Sequence, residues 1–134
     1  TGSQLGKIMP PQKIYPHIIP AILAAYTILS SAALANQPPP PDAKGRFYNI
    51  DWPTWRVVDR DPRGLNCRRG PGINNSIVAR LRLMTLLTPV TPRRLGVDKD
   101  GDPWMEVRLS NGGSCFVSAN TWYVMPSWEE QGRR

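Results

Sequence analysis

The chain has 134 residues, room for one domain and a short extension, and carries 17 Lys or Arg against 10 Asp or Glu for a net charge of +7. One histidine and two cysteines fall short of the four ligands of a zinc site. The excess of positive charge points to an anionic partner, or simply to a well-solvated arginine-rich surface.

Residues 18–35 read IIPAILAAYTILSSAALA, free of charge, preceded by Lys7 and Lys13 and ending in the small-x-small pattern Ala33-Leu34-Ala35. Residues 1–35 are therefore read as a signal peptide cleaved after Ala35, or as a retained membrane anchor, with Met9 a possible start. Eighteen residues at about 1.5 Å each would span about 27 Å, just enough for a thin bilayer. Pro20 and the weakly apolar Ser30-Ser31 end favour cleavage. Either reading puts the folded part outside the cytoplasm, in the periplasm or cell envelope. The only histidine, His17, falls in this leader, so Ser-His and Cys-His catalysis is excluded from the mature part.

Residues 36–54 are read as a linker, since Pro38 to Pro41 favour an extended polyproline spacer with little apolar surface to bury. Lys7 and Lys13 are the only Lys or Arg before residue 36, so 15 of the 17 belong to the mature part, 13 of them Arg. All 10 acids are there too, which leaves it at +5. Arginine's planar fork suits carboxylate and phosphate.

From residue 55 to 126 the pattern is all-β. Trp55 to Val58 opens a first strand, Asp61 to Gly64 turns it, and Leu65 to Arg68 alternate as a second. Gly70-Pro71-Gly72 forces a loop. Ile77 to Leu83 form a third strand, and Leu86 to Val90 a fourth that Pro89 and Pro92 confine to an edge or a kink. Val97 to Asp102 read as a turn. Trp104 to Leu109 and Ser114 to Val117 form a hairpin around Asn111-Gly112-Gly113. A short 3₁₀-like step at 118–121 precedes a last strand at Trp122 to Met125, and 127–134 are a polar tail. Leu65, Cys67, Val78, Leu81, Leu83, Leu87, Trp104, Val107, Leu109, Phe116 and Val124 are expected to face the core. The run Asp98-Lys99-Asp100-Gly101-Asp102 invites comparison with a calcium loop. With Gly101 at the sharp turn, however, Gly96 and Val107 would occupy the first and last ligand positions, so a solvated turn is the better reading.

Leu65-Asn66-Cys67-Arg68-Arg69-Gly70-Pro71-Gly72 resembles the "LNVRSGPS" signature that opens bacterial SH3-like (SH3b) domains. The resemblance continues in order. Ile77 to Leu81 are similar to the family's "vig-tL" strand, Pro103 to Val107 to "WykV", Cys115 to Ser118 to "GWVss", and Trp122-Tyr123-Val124 stand where the family ends in "YL". It covers Arg56 to Pro126 and implies a small SH3-like barrel of five to six short strands. A barrel would bring the strands of Cys67 and Cys115 together, and export would expose both thiols to oxidants, so a disulfide is expected; some SH3b relatives carry cysteines at these places. Two free buried thiols are the alternative.

What the resemblance implies for function is binding without catalysis. The expected ligand-binding residues are Arg68, Arg69, Arg80 and Arg82 as a basic stripe, Asn74 and Asn75 at its end, and Trp122 and Tyr123 as aromatic platforms. The expected partner is cell-wall peptide or glycan, or an envelope protein, anionic in character. No cofactor is expected, and no nucleic acid, given the compartment; a membrane enters only if the leader is retained. The alternative is a single-span accessory subunit of a larger membrane complex, and SH3b wall-binders usually accompany a hydrolase domain that this sequence does not contain.

Overall fold

The structure, a computed structural model, describes residues 37–91 and 94–130. The leader expected at 1–35, Arg93 and the end of the polar tail lie outside the described residues. Within them the fold is all-β. Eight short strands follow one another as β1 (Trp55–Val57), β2 (Leu65–Arg68), β3 (Ile77–Leu81), β4 (Leu86–Leu87), β5 (Gly96–Val97), β6 (Pro103–Arg108), β7 (Ser114–Ser118) and β8 (Val124–Pro126). They form a three-stranded sheet in the order β4-β1-β8 and a five-stranded sheet in the order β3-β2-β7-β6-β5.

The expected closed barrel of five to six strands is therefore corrected to two sheets that do not close. The break lies after Leu87. Beyond β4 the chain leaves β1 and runs past β6, where Val90 N donates to Glu106 O and Arg108 N donates to Thr88 O. Between those bonds sits Pro89, paired with Val107 as an isolated bridge. Proline has no N–H to extend a ladder, so the link between the sheets stays a single bridge. β5, expected as part of a turn, is a short edge strand paired with the start of β6.

The core lies between the sheets. Leu65, Cys67, Leu87, Val107 and Val124 are buried in one cluster with Trp55, Val57, Met105, Cys115, Val117 and Ala119, as are Phe47 and Ile50 from the segment read as a linker. Phe47 meets Trp55 edge-on at 4.9 Å. A tight turn delivers it: Asp42 Oδ1 accepts from the amides of Lys44 and Arg46, and Gly45 turns with φ +80°. Phe47 N then donates to Ala119 O at 2.8 Å. The linker reading is thus corrected beyond the proline run, because 42–50 is a domain segment joined to the 119–121 turn by one β-bridge.

Three expected core residues are elsewhere. Leu65 opposes Leu81 and Cys67 opposes Ala79, which fixes the odd-numbered positions of β3 inward and leaves Val78 exposed beside Arg80. Leu83 lies past the strand end, in the turn before Met84, and is exposed. Phe116 is flanked by the buried Cys115 and Val117 and takes the outer face of β7. Leu81 and Leu109 pack against the core from its margin.

Cys67 and Cys115 form a disulfide, with Cα atoms 5.4 Å apart. Each precedes a member of the register pair Arg68↔Phe116, so both point inward and tie β2 to β7. Both are buried. A structural disulfide of this kind forms in an oxidising compartment, which fits an extracytoplasmic setting.

Candidate functional site

The outer face of the five-stranded sheet carries a groove of about 360 Å³. Its floor is built by strand parity. On β6, Met105 and Val107 point into the core, so Trp104 points out, opposite Ser118 of β7. The expectation that Trp104 is buried holds, at 5 % exposure, but it stands outside the core cluster and floors the groove instead. Leu65, Asn66 and Arg68 from β2, Pro103 from β6, and Ile73 from the following loop continue the lining.

Asp98 holds one wall. Its Oδ2 accepts from Trp104 Nε1 at 2.8 Å, and its Oδ1 from the amides of Asp100 and Asp102 at 2.9 and 3.0 Å. One carboxylate thus fixes both the indole and the hairpin tip that overhangs it. Partial desolvation pushes the Asp98 carboxyl up, but the hydrogen bonds from Trp104, Asp102 and Asp100 outweigh it and leave the group below its ordinary value. Tyr48 Oη donates to Gly101 O at 2.6 Å and pins the tip from the other side.

The 70–75 loop closes over the sheet towards β5. A Cβ on Gly96 would stand 3.1 Å from Pro71 and 3.3 Å from Phe116, so glycine is what allows the loop to lie flat there. Asn75 Nδ2 donates to the carbonyls of Pro71 and Gly72, and Arg68 Nη1 to those of Ile73 and Asn75. These contacts make the loop a braced wall.

The far wall comes from the ends of the domain. Arg46 pairs with Asn120 in a β-bridge, its guanidinium stacks over Tyr48 at 5.4 Å, and its Nε meets Asp42 at 2.8 Å. Asn120 Oδ1 accepts from Trp122 N at 3.0 Å, ordering the turn that presents Trp122 and Tyr123. Trp122 is 76 % exposed and Tyr123 37 % exposed, both lining the groove together with Asp59.

Of the eight expected ligand-binding residues, Arg68, Trp122 and Tyr123 line this groove. Asn75 lies beneath it as a loop brace, and Asn74 is exposed. The expected basic stripe does not converge on the aromatics. Arg80 Nε donates to Asn66 Oδ1 at 3.3 Å on the outer face of β2 and β3, while Arg69 and Arg82 are exposed outside the groove lining. The residues missed in the sequence are Arg46, Asp59, Asp98, Asp100, Asp102 and the outward face of Trp104. Only the parity of Trp104 against Met105 and Val107 was available as a signal.

With both oxygens of Asp98 occupied inside the turn, the Asp98–Asp102 run is a hairpin brace. Among the described residues, no group of three or more His, Cys, Asp or Glu is gathered as a metal site. What the arrangement offers is a rigid floor, exposed aromatic faces and a carboxylate rim, the parts of a binding surface. No family model, curated protein or solved structure matches the chain.

Proposed function

We propose that this is an exported, non-catalytic binding module of the SH3b kind, whose groove docks cell-wall peptide or glycan or a segment of an envelope protein. One observation carries the reading. Trp122 stands 76 % exposed on a turn ordered by Asn120, over a floor that Asp98 holds rigid. An indole left that far in water gains from being covered, and a preformed surface avoids the ordering cost of binding. The disulfide and the leader-like residues 18–35 support export, and the ordered run of motifs from Leu65 to Val124 supports the SH3b kinship. A fold alone would not carry the function, which rests on the groove.

The test is retention. The full chain is incubated with purified sacculi and, in parallel, with detergent-solubilised envelope, alongside Trp122→Ala and the double variant Arg80→Ala/Arg82→Ala. Trp122→Ala is expected to lose retention on the bound material about tenfold, since aromatic anchors dominate such surfaces, while the arginine pair is expected to retain it. Equal retention of Trp122→Ala on both materials would remove the groove from the account.

A further inference from the structure

Resting on the reading of the groove as the docking site, we infer that it selects a basic side chain, a lysine or arginine on an extended peptide segment of a protein partner. This inverts the charge that composition suggests. The lining carries four carboxylates, Asp59, Asp98, Asp100 and Asp102, against the guanidiniums of Arg46 and Arg68.

The two guanidiniums are outnumbered, and both are already engaged within the domain. Arg46 is engaged by Asp42 at 2.8 Å and faces Asp102 at 3.7 Å. Arg68 donates to the carbonyls of Ile73 and Asn75. The carboxylates stand differently. Asp98 is spent on Trp104 and two amides, but the Asp100 side chain makes no hydrogen bond or ion pair among the described residues. Asp59 uses one oxygen, on the amide of Asp61 at 3.0 Å. Asp59 and Asp100 therefore line the groove with acceptor capacity unspent, and Asp102 adds a charge only loosely offset by Arg46.

The rest of the lining suits the remainder of such a side chain. Ile73, 71 % exposed, offers apolar surface to an aliphatic stem, and the faces of Trp122 and Tyr123 attract a cation. An anionic ligand would approach a surplus of carboxylates and be repelled. The occupant that complements this lining by charge is a basic segment of a protein partner. Arg69 and Arg82 lie outside the lining, and Arg80 meets it only through its hydrogen bond to Asn66.

The experiment titrates the ¹⁵N-labelled full chain with three probes, N-acetyl-Ala-Lys-Ala-amide and its norleucine and glutamate counterparts. The readout is the indole N–H resonances of the five tryptophans. Trp104 and Trp122 report the groove; Trp52, Trp55 and Trp128 report the rest. The lysine probe is expected to shift Trp122 and Trp104, bind about three- to tenfold tighter than norleucine, and weaken with salt. Asp59→Asn/Asp100→Asn is expected to erase that margin while leaving norleucine binding unchanged. If norleucine or glutamate shifts Trp122 as tightly as lysine, charge selection is overturned and the groove survives as a docking site. If every probe leaves Trp104 and Trp122 unmoved, or moves only Trp52 and Trp128, both readings fall.

Discussion

Asp98 is the residue on which the site turns, because one carboxylate serves the Trp104 indole and two backbone amides. Asp98→Ala leaves the buried Trp104 N–H and the hairpin amides without their acceptor, a loss of about 1–3 kcal/mol read by denaturant unfolding; a change below about 0.5 would contradict the hub. The charge matters as well. The folded state holds this carboxyl below its ordinary value of 3.8, so its ionised form stabilises the fold. That contribution is complete above the unfolded value and drains away as pH falls through the folded one. Asp42, lowered chiefly by the Arg46 amide, and Asp61, lowered to about 2 chiefly by the Arg63 side chain, act with the same sign. Melting followed from pH 6 to pH 2 is therefore expected to show falling stability below pH about 4, with a shallower fall in Asp98→Asn. An unchanged slope in that variant would reject the assignment. In the sequence Asp98 looked like one of three solvated turn acids. Nothing in the spacing distinguishes the acid that folds back to an indole six residues on from those that face water.

At the scale of elements, two ties hold the domain together. The disulfide closes a separation of 48 residues between β2 and β7, and replacing both cysteines with alanine is expected to cost about 4 kcal/mol by loop-closure entropy. Since both sulfurs are buried, the native protein is expected to resist a thiol reductant until denaturant is added. Ready reduction under native conditions would contradict the burial. The second tie is the 42–50 segment, which places Phe47 against Trp55 and hydrogen-bonds to Ala119. Phe47→Ala is expected to cost about 3–5 kcal/mol, whereas a linker residue would cost almost nothing. The sequence showed β2, the 111–113 turn and the cysteine pair clearly, because alternation and turn chemistry are local. It hid the 42–50 segment, whose two apolar anchors, Phe47 and Ile50, are spaced by three and match no strand alternation. It also blurred β3, where Val78 and Leu81 cannot share a face three residues apart on one strand.

For the whole molecule, net charge and site charge have opposite signs. Composition reports the sum over the whole chain, +7, without regard to where the charges lie. The groove is made by five separate stretches, at residue 46, residue 59, residues 65–73, the 98–104 hairpin and the 118–123 turn, and its acidic lining appears only when they meet. If the partner sits in this groove, it lies within reach of residue 122. The most direct measurement places a photo-crosslinking phenylalanine analogue at Trp122, and in a second chain at Leu83, which is exposed but outside the groove lining, and irradiates intact cells. An adduct is expected from position 122 that excess N-acetyl-Ala-Lys-Ala-amide competes away, and none from position 83. Adducts from position 83 with none from position 122 would contradict docking in the groove.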